Sequence, residues 1–273
     1  MDNNSGLQQY MGIASFGKAY AAMFQNDTHA FGSVDRSFYN DMVLLNRATH
    51  AWLYRHYTDE RPMKTPLGRP ALDGLAAGLR GDGQGATVDA IVDHCRRHLV
   101  EPFDTPTQDM LFGGTEEDIL ERGTDWCTDV ARVCCALCQA AGLSARIVIT
   151  ANTRLPYCGH TVVECFYDGY WGVLDPTFGI VFRTAEGLPA SVALLRAQPA
   201  LVDEAFERRH PNMRHLFTPW EQYRSAAMVN YDAASPALYE YTTSGLNAYT
   251  AGILEHSARG WPQGLRWLYG EDA

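Results

Sequence analysis

Cys127, His160 and Asp175 are of the three residue types that can share a covalent acyl transfer. A thiol supplies the nucleophile, an imidazole moves its proton, and a carboxylate holds the imidazole in one tautomer. Cys127 stands one residue ahead of a helical run, Thr128 to Ala141, with Thr128 and Asp129 in its first turn. Unpaired amides and the dipole at a helix start favour a thiolate over a thiol. The same amides can receive the oxyanion of a tetrahedral intermediate.

His160 and Asp175 fall on two strand-like runs, HTVVECFY and YWGVLD, separated only by Asp168-Gly169. That dipeptide is a strong signal for a two-residue hairpin turn. A tight turn pairs Tyr167 with Tyr170, Phe166 with Trp171, Glu164 with Val173 and Val162 with Asp175. Paired residues share a face, so Asp175 lies on the face of His160, one diagonal step of roughly 7–8 Å away. A slip of one residue would put the two on opposite faces. The expected chemistry is attack of the thiolate on an acyl carbon of an amide or ester. The resulting thioester is resolved by water or by an amine.

The elements that must position these residues form a helix-plus-sheet core at about 104–185, with helical flanks at about 1–103 and 186–273, all in one domain. Residues 5–57 carry helix-like spacing, including Phe38, Met42, Leu45, Ala48 and Leu53. TDERPMKTPLGRP (58–70) holds three prolines and a glycine and is expected to be a loop. A helical region at about 71–101 breaks at RGDGQG, and its second half sets Val88, Ile91, Val92 and Cys95 on one stripe. Residues 104–126 look loop-rich. The Thr128–Ala141 helix has a Val130, Cys134, Leu137, Ala141 stripe and stops at Gly142. Ala145–Ala151 is a further strand, and helical patterning returns after Phe182.

At this point the two blocks resemble a known family. DWCTDVARVCCALCQAAGLSAR resembles the cysteine helix of the transglutaminase-like superfamily, with Ala131, Leu137, Gly142 and Arg146 at matching distances from Cys127. GHTVVECFYDGYWGVLDPT is similar to that superfamily's histidine and aspartate strands, through His160, Glu164, Trp171 and Asp175-Pro176-Thr177. The resemblance covers about residues 123–179. It implies an α+β, papain-like core and a Cys–His–Asp acyl-transfer site. Members include cross-linking transglutaminases, peptidases, peptide N-glycanases, bacterial amide-forming enzymes and proteins that have lost catalysis. Val162 departs from the pattern, since the family often carries an aromatic residue there. The chain's closing run, GWPQGLRWLYGEDA, suggests a bacterial subgroup.

Other residues are weighed against blander roles. Trp126, Thr128 and Val162 are candidates for the oxyanion or substrate pocket, and Trp126 is equally a core aromatic. Glu164 is expected to be a structural partner of Arg146. Asp125 and Asp129 are read as caps or surface charges, Cys135 and Cys138 as core, and His94 and His98 as an exposed helix face. No cofactor is expected, and no acidic calcium loop is apparent. The formal charge of -10 disfavours nucleic acid and anionic membranes. No signal peptide or spanning segment is recognisable, and seven cysteines form no disulfide framework, which fits a cytoplasmic protein. The expected partners are a peptide or small-molecule acyl donor and, if transfer replaces hydrolysis, an amine acceptor. A catalytically silent peptide-binding module of the same fold is the alternative.

Overall fold

The computed structural model describes residues 42–45, 50, 54, 69–99, 116–124, 127–151, 159–211 and 226–230. In chain order these form β1 (Met42–Leu44), α1 (Pro70–Gly78), α2 (Gln84–His98), α3 (Glu116–Arg122) and α4 (Cys127–Ala140). There follow β2 (Ser144–Ala151), β3 (Gly159–Tyr167), β4 (Tyr170–Asp175), β5 (Ile180–Val181), α5 (Val192–Ala197), α6 (Ala200–Arg209) and β6 (Ala226–Asn230). Among the described residues no helix is long and apolar enough to cross a membrane.

The strands make one antiparallel sheet in the order β1-β6-β2-β3-β4-β5. Side-chain alternation divides its central strands between two cores. Ala145, Ile147, Val163, Cys165 and Leu174 pack with α1 to α4. Val148, Val162 and Val173 pack with Phe178, Phe182 and the apolar side chains of α5 and α6. With helices over both faces, β3 can be apolar along its length, and it is buried from His160 to Cys165.

α4 is buried from Cys127 to Gln139. It stops where Gly142 takes φ 90°, a left-handed conformation that glycine adopts without steric cost. Gln139 Nε2 then donates to the Ala145 carbonyl at 2.8 Å, tying the helix end to the strand that follows. On the opposite face Arg146 and Glu164 sit side by side in the β2–β3 register and pair at 2.7 Å, both buried. The Tyr54 hydroxyl and the Val192 N–H also donate to Glu164, each at 2.7 Å, so one carboxylate joins β3 to α5 and to Tyr54.

Four expectations are corrected. Met42–Leu44 is a strand and not part of a helix, and 226–230 is a strand inside a region expected to be helical. Both pair with each other across the edge of the sheet, a contact that local spacing does not report. Glu116–Arg122 is a helix within the stretch expected to be loop. Its acidic first turn and Arg122 in its last suit the helix dipole, but it is too short for a clear periodicity. The core also begins well before residue 104, because Leu72, Ala76, Val88 and Ile91 of α1 and α2 share the α4 core. The break between α1 and α2 lies at RGDGQG as expected.

The Arg146–Glu164 pair yields a prediction. Arg146→Met leaves the carboxylate buried without its cation and is expected to cost about 3–5 kcal/mol, whereas adding Glu164→Gln should recover much of it. Urea denaturation checks this; a loss below about 1 kcal/mol for the single variant would show that the pair does not hold β2 to β3.

Candidate active site

The turn between β3 and β4 sets the site. Asp168 and Gly169 have φ of 51° and 83°, the left-handed pair that matches strand twist in a two-residue hairpin. The register is the expected one: Tyr167 with Tyr170, Phe166 with Trp171, Glu164 with Val173 and Val163 with Leu174. The ladder ends there, one step short of Val162 and Asp175, and Asp175 pairs instead with Ile180 of β5. The shared face survives. His160 Nε2 lies 2.8 Å from Asp175 Oδ2, with both side chains fully buried.

The second oxygen of that carboxylate, Oδ1, accepts the Phe178 N–H at 3.2 Å. The Phe178 ring sits 5.5 Å from the imidazole, and the Thr150 hydroxyl donates to the His160 carbonyl at 3.0 Å. Because a carboxylate only accepts, Nε2 carries a proton and Nδ1 is the nitrogen left for chemistry. Nδ1 is buried and has no hydrogen bond of standard geometry among the described residues. Such looseness is common in a catalytic contact before substrate binds.

Cys127 is the first residue of α4, one position later in the helix than the spacing suggested. It keeps 9% exposure, whereas Cys95, Cys134, Cys135, Cys138 and Cys165 keep 0–2%, so it is the most exposed of these cysteines. Burial pushes its thiol up, but the His160 ring and the Thr161 backbone and side chain outweigh this, and the net direction is down. Burial likewise pushes His160 down, but the Asp175 charge and hydrogen bond, with help from Cys127, lift it to about 10. The ring thus holds the thiol below its usual range, and the carboxylate keeps the ring cationic well above the usual imidazole range.

Thr128 is buried, and its hydroxyl lies 3.0 Å from that of Thr161. Thr161 is the site residue that sequence reasoning missed. It looks like an ordinary β-branched strand residue, and only the approach of α4 to its face of β3 brings its hydroxyl to that of Thr128, next to Cys127. Val162 shares the histidine's face and is fully buried in the apolar cluster beneath α5 and α6. Trp126 and Asp125 lie outside the described residues.

Asp129 is not a surface charge. It is fully buried, 3.2 Å from Arg122 and 3.3 Å from the Thr124 hydroxyl. Glu164 is the expected partner of Arg146. Cys135 and Cys138 are core residues, and the rings of His94 and His98 lie 4.4 Å apart on α2. Among the described residues no group of three or more His, Cys, Asp or Glu side chains is arranged to hold a metal ion.

Residues 75–176 match the model of the transglutaminase-like superfamily, a stretch that contains Cys127, His160 and Asp175 and begins within α1. No curated protein matches the chain. A solved structure from Cytophaga hutchinsonii, provisionally assigned as a cysteine protease, is 23% identical over 53% of this chain, with a TM-score of 0.31. The alignment spans 46% of that protein, less than half its length.

The His160–Asp175 contact predicts a pH dependence. His160 is raised from 6.5 to about 10 on folding, so its contribution to stability is complete below about 6.5 and is lost as pH rises through about 10. Asp175→Asn removes the charge that raises it. The stability gap between wild type and variant should be widest below pH 6.5 and narrow toward pH 10. In histidine-labelled protein the His160 resonance should titrate far earlier in the variant. A gap that widens between pH 6.5 and 10, or an unchanged titration, would rule out Asp175 as the group that sustains the imidazolium.

Proposed function

We propose that this protein, whose residues 75–176 match the model of the transglutaminase-like superfamily, is a cysteine acyl-transfer enzyme that acts on an amide through a thioester on Cys127. The observation that carries this reading is the buried 2.8 Å contact of His160 with Asp175, combined with a helix-start thiol whose ionisation the same ring promotes.

The Cys127 proton passes to His160 Nδ1, and the thiolate attacks the acyl carbon. The oxyanion that forms lies near the amides of the first turn of α4. As the carbon–nitrogen bond breaks, Nδ1 returns its proton to the leaving amine, and a thioester remains. A second nucleophile then gives a proton to Nδ1, attacks the same carbon and releases Cys127. Asp175 accepts the Nε2 proton's hydrogen bond throughout and offsets the positive charge on the ring. Water as the second nucleophile makes the enzyme an amidase or peptidase, and an amine makes it an amide-forming transferase. Hydrolysis is the simpler form, since water needs no dedicated acceptor site. A peptide or small-molecule acyl donor is the substrate class, and the chemistry calls for no cofactor.

The test is covalent. Near neutral pH, iodoacetamide should modify Cys127 well ahead of Cys95, Cys134, Cys135, Cys138 and Cys165. Incubation with a panel of activated acyl donors should add one acyl mass to the wild type, removable by hydroxylamine, and none to Cys127→Ala. That variant should keep the wild-type melting temperature and lose turnover by about 10⁴-fold or more. Slow, uniform alkylation with no acyl adduct would favour a binding module that has kept the fold without the reaction.

A further inference from the structure

β5 (Ile180–Val181) ends the strand order of the sheet, and a helix packs on it from each side. Val181 meets the core that holds α2, and Ile180 meets the core that holds α6. The last turns of both helices are basic: α2 closes on Arg96, Arg97 and His98, and α6 on Arg208 and Arg209. They come together at Gly179, the residue before β5. Gly179 has φ 66°, and a Cβ placed on it would stand 3.0 Å from Arg96 Cγ and 3.3 Å from Arg209 Nη2. Two arginine side chains from opposite sides of the sheet thus converge on one glycine at its edge.

A basic residue in a last turn suits the helix dipole, but joining two such turns sets like charges against each other. Burial and the Arg209 charge push the Arg96 guanidinium down, and Asp175 pushes it up. Asp93 of α2 offsets part of the charge, meeting Arg97 at 2.7 Å and Arg209 only at 3.9 Å. Asp89, a turn earlier on α2, is taken by Arg183 at 2.8 Å. On α6 the helical period carries Glu204 and Glu207 to the side away from Arg209. The corner is also held in place: His210 Nε2 donates to the Phe178 carbonyl at 2.7 Å, and the Phe178 N–H to Asp175 Oδ1 at 3.2 Å. On the same turn the Thr177 hydroxyl is buried and makes no hydrogen bond among the described residues. In a chain of formal charge -10 this cationic corner is a local exception.

We propose that Arg96 and Arg209 form an anion-binding site at this corner, and that its ligand is a compact, doubly charged oxyanion, a phosphate or a phosphomonoester. Each guanidinium presents paired N–H donors that match two oxygens of such a group. A dianion offsets both charges, where a single carboxylate would leave one. Gly179 supplies the room, since any side chain there would crowd both arginines. The site stands apart from the acyl-transfer reading, which uses neither arginine.

The experiment is a calorimetric titration of the full chain with inorganic phosphate, at fixed ionic strength and a mildly alkaline pH where phosphate is doubly charged. One saturable site is expected, with acetate binding far more weakly. Arg96→Gln and Arg209→Gln should each weaken phosphate binding about tenfold or more. Arg208→Gln, one position away on α6 and turned elsewhere, should leave the affinity unchanged. O-phosphoserine as a second probe separates the sources of the group. Tighter binding than phosphate assigns the site to a phosphoryl group carried on a larger molecule, and binding no tighter assigns it to the free ion. The absence of a saturable heat would overturn the proposal, as would an affinity that Arg209→Gln leaves in place. A loss that Arg208→Gln reproduces would also overturn it, because it marks a diffuse field and not a site. Arg209 is half exposed, so its variant is expected to fold, and it decides alone should Arg96→Gln not fold. Each of these failures leaves the acyl-transfer reading standing, since Cys127 labelling and acylation are read separately.

Discussion

A carboxylate removed from water has to be met by donors, and Asp175 is fully buried. One oxygen takes the Phe178 N–H and the other takes His160 Nε2. The rest of the site depends on this double engagement. It settles which ring nitrogen carries a proton, and so which one is available to the sulfur. It also keeps the ring cationic at a pH where an isolated imidazole would be neutral. The bond exists because a two-residue turn holds β3 and β4 in one register, and because α5 and α6 with Phe178 close the face on which it forms.

The helix that carries Cys127 is held by a different set of charges. Arg132 of α4 meets Glu116 of α3 at 2.5 Å, and Glu116 is also 2.6 Å from Arg69. Asp129, two residues beyond the thiol, is met by Arg122 and Thr124. These buried groups lock the first two turns of α4 against α3, so the helix start that presents Cys127 has little freedom to move. Such networks are a weak source of net stability, since desolvation offsets much of their attraction. Their value here is geometric. The interior of the same helix is apolar and thiol-rich, with Cys134, Cys135 and Cys138 serving as small packing residues.

Much of this was legible before any fold was known, for reasons particular to the residues. Asp168-Gly169 specifies a turn because few residues accept left-handed backbone, and from the turn the pairing follows by counting. The buried stripe of α2 and the extent of α4 follow from spacing and from Gly142. What escaped was non-local. Met42–Leu44 and Ala226–Asn230 become strands by pairing with each other, nearly two hundred positions apart in the chain. Asp129 resembles a surface cap until Arg122 is brought to it by α3.

By itself the chain's order of residues determined the thiol, imidazole and carboxylate on offer, the helix start, the turn, and the face shared by His160 and Asp175, because each depends on neighbours within about fifteen positions. Only the tertiary structure decided that α4 packs on β3, so that the Cys127 thiol and the His160 ring come together. That meeting depends on how a helix packs on a sheet, and packing is settled by side chains on many elements at once rather than by any local pattern.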